Sequence, residues 1–190
     1  MSATHTAEHL FAGSIRRIKP DLTVLKVDQS AGRNSIYVNA KNLDWNTIFE
    51  AEIMANQIIA EGREVKQHIF NSLKDAKQQF PEARVMEDRI SGTVRIIEVD
   101  GYDYAACSRK HSSNTGECDY FLVTRVVKAN GGYKIDFLVG AEAKKKALEF
   151  SKVALNTSDI LGTSIDGVEK TVNNMVHELK QLKHSLSVVS

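Results

Sequence analysis

Two short pairs of metal-ligand residue types stand out in this chain. His5 and His9 are four residues apart near the start of the sequence, and Cys107 and His111 are four residues apart in its middle. On a helix, this spacing brings both side chains of a pair onto one face, one turn apart. Three imidazoles and one thiolate form a ligand set that zinc accepts, with Zn–N distances of about 2.0–2.1 Å and a Zn–S distance of about 2.3 Å. The two pairs together predict one zinc site.

The composition is that of an ordinary globular protein. Of the 190 residues, 42% are apolar and 26% are charged, and the net charge is +1. There is no overall basic bias, so any contact with nucleic acid must come from local patches. The first dozen residues lack a secretory pattern, and no apolar run approaches the roughly 20 residues of a membrane span. We therefore expect a cytoplasmic protein, in which Cys beside His indicates a metal or catalysis before a disulfide.

Periodicity and turn residues predict the elements that carry these pairs. The histidine pair falls on a predicted helix over 4–18, in which Glu8 is expected to face solvent. A second helix is predicted over 45–61 and should end at Gly62. Turn residues and β-branched runs predict two hairpins, 22–27 with 35–39 and 120–127 with 133–139, and strands over 65–70 and 92–100. After a turn at Gly101, residues 102–106 lead directly into Cys107. This order predicts an α+β fold, a two-layer sandwich with an antiparallel sheet.

The composition changes after Gly140. A helix is predicted over 141–154, with an interruption over 156–162. Apolar residues then follow at spacings of three and four, which is typical of a coiled-coil seam: Ile165, Val168, Val172, Met175, Leu179, Leu182, Leu186 and Val189. A narrow seam needs a partner helix, so we predict a homodimer through this helix. The alternative is a hairpin with the preceding helix of the same chain.

With both pairs placed, the sequence resembles the editing domain of alanyl-tRNA synthetase and its free-standing relatives, the AlaX-type trans-editing proteins. The resemblance is carried by His5-Thr-Ala-Glu-His9-Leu and by Cys107-Ser-Arg-Lys-His111, which runs into Asn114-Thr-Gly-Glu117. It implies an editing domain over 1–140, followed by a C-terminal helical extension with a coiled coil over 141–190. It also implies that His5, His9, Cys107 and His111 bind zinc.

The resemblance implies hydrolysis of mischarged aminoacyl-tRNA in trans. A zinc-bound water is the expected nucleophile, since zinc lowers the pKa of bound water towards about 7, and no side chain is assigned as catalytic. The expected substrate is tRNA(Ala) carrying serine, because an apolar synthetase pocket cannot strongly exclude an added hydroxyl. The same tRNA carrying glycine is a second candidate substrate. Two alternatives stay open. One is a deacylase for serine on tRNA(Thr), because threonyl-tRNA synthetase shares both metal pairs. The other is a non-catalytic module that binds tRNA or a partner protein and holds a structural zinc.

A site selective for serine needs a polar group that bonds the serine hydroxyl. In the relatives a threonine of the first hairpin has this role. The candidates in this chain are Thr23, Ser35 and, on the hairpin connection, Gln29. Each of the three is also an ordinary residue type for its strand or turn, so the sequence leaves the choice open.

Contacts with tRNA are expected from local groups of cations. Such groups bind phosphates, which positions a nucleic acid without reading its sequence. The synthetase has glycines after the metal-binding cysteine, where this chain has Ser108 and two cations, and this difference affects how the acceptor end approaches. The candidate tRNA-binding residues are Arg16, Arg17, Arg33, Arg109 and Lys110.

Overall fold

The structure, a computed structural model, describes residues 2–30, 32, 34–85 and 92–189, with the backbone alone for 188 and 189. The chain divides into two compact units, Met1–Lys144 and Lys145–Ser190. Within the described ranges, helices and antiparallel strands are both abundant, so the predicted α+β class is confirmed. None of the described helices is long and apolar enough to span a membrane.

The helices and strands follow the predicted order along the chain. The helices are α1 (Ser2–Ile18), α2 (Trp45–Glu61), α3 (Leu73–Gln79), α4 (Ala141–Leu161) and α5 (Val168–Val189). The strands are β1 (Thr23–Asp28), β2 (Ser35–Asn39), β3 (Val65–Phe70), β4 (Val94–Val99), β5 (Asp103–Ala106), β6 (Phe121–Ala129) and β7 (Gly132–Val139).

Local chemistry sets the bounds of α2. The Asp44 side chain accepts a hydrogen bond of 2.8 Å from the backbone N–H of Thr47 and so caps the first turn. Gly62 has a φ of 64°, a left-handed conformation that closes the helix at little steric cost because glycine has no Cβ. The predicted bounds of this helix are confirmed.

The strands of the described ranges divide into two antiparallel sheets, where a single sheet was expected. One has the order β1-β2-β7-β6 and the other the order β3-β4-β5. The two predicted hairpins pair with each other, since Ser35 of β2 lies opposite Asp136 of β7. The segment from β3 to β5 folds back on itself through the Gly101 turn and forms its own sheet.

The main core lies between the helices α1 and α2 and the four-stranded sheet. Phe121 stacks on Phe11 and on Phe137, with ring centroids 4.8 and 5.0 Å apart. All three side chains are fully buried, and burial of each contributes about 1.5–3 kcal/mol. This core holds α1 in a fixed position, which matters because α1 carries the first histidine pair.

The α4 helix is longer than predicted. It continues to Leu161 and ends at Gly162, which has a φ of 61°, so the predicted interruption over 156–162 was wrong. The polar residues there are accommodated without breaking the helix. For example, the Thr157 hydroxyl donates to the carbonyl of Val153 at 2.8 Å.

The apolar residues of α5 remain in solvent. Met175, Leu182 and Leu186 are 53%, 62% and 70% exposed. The preceding helix α4 therefore does not cover the seam, which argues against the intrachain hairpin considered from the sequence.

Candidate metal centre

The first two candidate ligands lie on α1, as the sequence predicted. His5 and His9 are one turn apart on a helix whose side chains are all buried from His5 to Ile15. Because α1 is packed by the core on several sides, both imidazoles are held inside the protein, 6% and 8% exposed. Their spacing of four residues brings them onto one face.

The second pair lies on a loop and not on a helix. Cys107 directly follows β5, and residues 107–111 belong to neither a helix nor a strand. The backbone N–H of Cys107 donates to the carbonyl of Arg95 on β4 at 3.0 Å. Cys107 and His111 therefore reach α1 because the loop that carries them lies against this helix, where Cys107 contacts His5 and His111 contacts Thr6.

The fold brings all four candidate ligands together. The ligand atoms of His5, His9, Cys107 and His111 lie within 4.8 Å of one another. His5 Nε2 is 3.1 Å from Cys107 Sγ. The three imidazole rings have centroid separations of 4.8, 4.7 and 4.5 Å. A tetrahedral zinc would hold its ligand atoms about 3.3–3.6 Å apart, so a contraction of about 1 Å completes such a site.

Two ring nitrogens in the cluster, His5 Nδ1 and His111 Nε2, are buried without a hydrogen bond, and of these His5 Nδ1 lies 3.1 Å from a carboxylate oxygen of Glu8. On the other ring, His111 Nδ1 lies 3.2 Å from the Thr6 hydroxyl oxygen. Buried polar atoms normally have partners, and an imidazole nitrogen with a free lone pair is a metal ligand. The orphaned His111 Nε2 and the donor set both fit a metal ion, so the four residues could hold one.

Two further residues of α1 orient the candidate ligands, and the sequence analysis missed both roles. Glu8, expected in solvent, is 3% exposed, and its Oε2 lies 3.1 Å from His5 Nδ1, at ion-pair distance but without good hydrogen-bond angles. Thr6 Oγ1 accepts a hydrogen bond of 3.0 Å from the backbone N–H of Ser112 and so ties α1 to the loop. In metal sites, the ring nitrogen of a histidine that does not bind the metal commonly contacts a neighbouring polar group, which orients the ring.

Burial and neighbouring charges keep two imidazoles neutral. Burial lowers the pKa of His9 well below its usual value, and the Arg84 cation adds to the effect. Burial also lowers the pKa of His111 to about 3, with contributions from His5 and Arg95. A neutral imidazole is the form that binds a metal.

His5 and Cys107 form a polarised pair. Burial would lower the pKa of His5, but the hydrogen bond to Cys107 and the nearby Glu8 carboxylate raise it to about 9. Burial would raise the pKa of the Cys107 thiol, but the hydrogen bonds from His5 and from the backbone N–H of Arg109 lower it below its usual value. The pair therefore favours a thiolate, the form of cysteine that binds metals.

We call residues 107–111, which carry Cys107 and His111, the metal loop. Of the three candidates for substrate contact, the structure brings Gln29 to this loop. Gln29 Oε1 accepts a hydrogen bond of 3.1 Å from Arg109, and Gln29 Nε2 is buried without a partner. Ser35 donates to Asp136 Oδ1 at 2.7 Å, so its hydroxyl is already used within the sheet. Thr23 is exposed at the other end of β1, about 17 Å along the strand from the hairpin connection.

The candidate tRNA-binding cations fall into two groups. Arg109 and Lys110 are exposed on the metal loop. Arg16 and Arg17 lie at the end of α1, about 10 Å along the helix from His9, where they line a cavity of about 430 Å³. Arg17 is less free than expected because it stacks on the Tyr102 ring at 4.4 Å. The candidate Arg33 lies outside the described residues.

Comparison with known proteins relates nearly the whole chain to one kind of protein. No family model matches the sequence. Alanine–tRNA ligase of Methanococcus maripaludis is 27% identical over 187 residues, covering 96% of this chain and 21% of the relative. The enzyme of that name from Petrotoga mobilis is 26% identical over 201 residues, covering 96% and 22%. The one from Ignicoccus hospitalis is 22% identical over 188 residues, covering 96% and 21%.

The chain is similar to one segment of alanine–tRNA ligases. It spans about a fifth of the length of these relatives. This agrees with the alanyl-tRNA synthetase part of the resemblance seen in the sequence.

Proposed function

We propose that this protein is a zinc-dependent deacylase that acts in trans on tRNA(Ala) carrying serine, and on the same tRNA carrying glycine. One observation carries the proposal: a chain similar to alanine–tRNA ligases contains a buried cluster of three imidazoles and one thiolate, with an orphaned nitrogen on His111. Zinc accepts this ligand set. When bound, zinc would polarise the ester carbonyl and lower the pKa of water, for which one of the four protein ligands must yield or a fifth coordination position must open.

The protein groups around the cluster have separate tasks. Glu8 and Thr6 fix the ring orientations of His5 and His111, which keeps the reacting groups in one geometry. The buried amide of Gln29 has a free N–H that can donate to the hydroxyl of a serine ester. A site with a buried polar group disfavours a substrate that leaves this group unpaired, so Gln29 would favour serine over alanine.

The tRNA would be held through its phosphates. Arg109 and Lys110 are exposed beside two candidate ligands, where the acceptor end must enter to place its ester at the metal. Arg16 and Arg17 lie farther along α1 and would contact the helical part of the acceptor stem. These contacts position the RNA without selecting its sequence.

Labelled aminoacyl-tRNAs test the function directly. Zinc-loaded protein is incubated with tRNA(Ala) carrying serine, glycine or alanine, and with tRNA(Thr) carrying serine. We expect zinc-dependent loss of serine from tRNA(Ala) with alanine retained, and slower loss of glycine than of serine because glycine lacks the hydroxyl that Gln29 would bond. Faster loss of serine from tRNA(Thr) would favour the threonyl-type alternative. Retention of every label, with tRNA still bound, would favour a binding module with a structural zinc.

A pair of variants on the first hairpin tests the role of Gln29. Gln29→Ala removes the buried amide and should lower kcat/KM for serine release by about 5–10-fold, the effect of one hydrogen bond. Thr23→Ala, on the far end of the same hairpin, should leave the rate unchanged. An unchanged rate in Gln29→Ala would contradict this assignment.

We further propose that residues 141–190 are an extension that joins two copies of the chain through α5. The apolar seam of α5 is exposed, with Val172, Leu179 and Leu186 at 40%, 53% and 70%. If these three residues take the a positions, Glu178 takes a g position and Lys183 the following e position. In a parallel two-stranded coiled coil, a g residue faces the e residue five positions later on the other helix. Glu178 would thus pair with Lys183 of the second copy.

Exchange of these two charges tests the dimer and its direction. Glu178→Lys and Lys183→Glu alone should each weaken the dimer in analytical ultracentrifugation. The double exchange should restore it, and a mixture of the two single variants should form heterodimers. A monomeric wild-type protein would refute the dimer, and a double exchange that fails to restore it would refute the parallel arrangement.

A further inference from the structure

Arg95 contacts the metal loop although it lies on a different element. Its position on β4 is opposite Ile69 of β3. Its Nε donates to the carbonyl of Cys107 at 2.8 Å, and its Nη2 donates to the carbonyl of Arg109. The third nitrogen, Nη1, faces Gln67 Oε1 at 3.4 Å. One guanidinium group therefore holds two carbonyls of the loop that carries Cys107 and His111.

The backbone of the same residue holds the loop as well. The carbonyl of Arg95 accepts from the N–H of Cys107 at 3.0 Å. Main-chain and side-chain atoms of one residue thus fix both the N–H and the carbonyl of Cys107. Because these two groups define the backbone orientation at Cys107, they also fix the direction in which its thiol projects.

The loop needs support from Arg95 because it lacks the regular hydrogen bonds of a helix or a strand. Residues 107–111 belong to neither a helix nor a strand, so no regular ladder of hydrogen bonds sets their conformation. The planar fork of an arginine holds two acceptors at once in a fixed geometry, which the single ammonium of lysine does not.

The contact also extends to the first hairpin. Arg95 fixes the backbone of Arg109, and the Arg109 side chain donates to Gln29 Oε1 at 3.1 Å. Arg95 thereby connects β4, the metal loop and the hairpin connection in one chain of hydrogen bonds.

We propose that Arg95 is a positioning residue that presets the Cys107–His111 loop for metal binding. It acts on the metal through the loop backbone and contacts neither metal nor substrate. The proposal rests on the metal site of the proposed function, and it does not depend on which aminoacyl-tRNA is hydrolysed.

Titration with Co²⁺ tests this role without any assay of activity. The visible spectrum of bound Co²⁺ reports the coordination geometry and the thiolate ligand, and the titration gives the affinity. Arg95→Gln should bind Co²⁺ about 10–100-fold more weakly than the wild type, the usual effect of losing a group that orients ligands, with a changed spectrum. Arg125→Gln, which removes an exposed arginine from β6, is the matched control and should leave both unchanged.

Two further measurements separate positioning from a general loss of stability. Arg95→Lys should recover only part of the affinity, and millimolar guanidinium ion added to Arg95→Ala should recover affinity and spectrum together. Wild-type affinity and spectrum in Arg95→Gln would overturn the proposal. So would a loss of affinity that follows the melting temperature and that guanidinium does not reverse.

The outcomes also distinguish this proposal from the proposed function. A wild-type protein that binds neither Zn²⁺ nor Co²⁺ would overturn both. Normal metal binding in Arg95→Gln would overturn the positioning role alone. Absence of deacylation by a metal-loaded wild type would overturn the function and leave the role of Arg95 intact.

Discussion

The helices α1 and α5 are of similar length but use their side chains in opposite ways. In α1 even the polar residues His5, Thr6 and Glu8 are buried, and two of them, His5 and Thr6, contact the segment that follows β5. In α5 even the apolar residues Leu182 and Leu186 are exposed. Burial of a helix therefore follows from what surrounds it and not from its own composition. The four candidate ligands all lie in the first unit, while α5 presents an apolar surface suited to a second helix.

The comparison predicts that ligand loss in the first unit has the largest effect on function. His9→Ala removes one imidazole from the cluster, and the three remaining ligands should not retain the metal. The zinc content should fall from near one per chain to near zero. Deacylation should fall by more than about 10–100-fold, which is the usual effect of losing a group that only orients a ligand.

A histidine outside the cluster provides the control for this experiment. His68 lies on β3, where its Nε2 is 2.6 Å from Glu98 Oε2. His68→Ala should keep its zinc and its activity. Full zinc retention in both His9→Ala and Cys107→Ala would contradict the assignment of the metal site.

Apolar truncations should separate the two helices next. Phe11→Ala in α1 leaves a cavity against Phe121 and should lower the free energy of unfolding by about 3–5 kcal/mol. Leu182→Ala in α5 should not change the unfolding of the first unit, and its effect should appear in the monomer–dimer equilibrium. Denaturant unfolding and ultracentrifugation measure the two effects. Equal losses of unfolding free energy in both variants would show that α5 is packed like α1.

A smaller effect is expected from the carboxylate that orients His5. Glu8→Gln keeps the size of the side chain but removes its charge, so it should weaken zinc binding by about 10-fold, at the low end for outer-shell groups. Competition with a chromogenic chelator measures this affinity. Glu178→Gln on α5 is the control and should not alter zinc binding.

The smallest effect concerns a charge that the packed unit buries at a cost. Burial raises the pKa of Glu52, and the hydrogen bond from the backbone N–H of Val123 opposes this shift only in part. Because the folded pKa lies above the unfolded one, this group's contribution to stability falls as the pH rises between the two values, then stays constant. Glu52→Gln should therefore stabilise the protein at pH 7 by up to about 1 kcal/mol and flatten the pH profile.

Thermal or denaturant unfolding between pH 4 and 8 measures this profile. Glu50→Gln, an exposed change on the same helix, should reproduce the wild-type curve. A loss of stability at pH 7 in Glu52→Gln would show that the charged hydrogen bond to Val123 outweighs the cost of burial.

The sequence by itself determined the features that depend on neighbouring residues. Asp44 and Gly62 set the bounds of α2, and the turn before Gly132 set the second hairpin, because caps and turns form within a few residues. The residue types at His5, His9, Cys107 and His111 likewise pointed to a metal, since ligand chemistry belongs to the side chains themselves.

Only the tertiary structure decided the features that depend on distant parts of the chain. Glu8 is buried and Thr6 meets the loop at Ser112, more than one hundred positions away. Gln29, and not Thr23, reaches the metal loop through Arg109. Arg95 on β4 has no local signal for its contact with Cys107, because the pairing of strands brings the two together. Such contacts arise when the core packs, and no pattern of neighbouring residues encodes them.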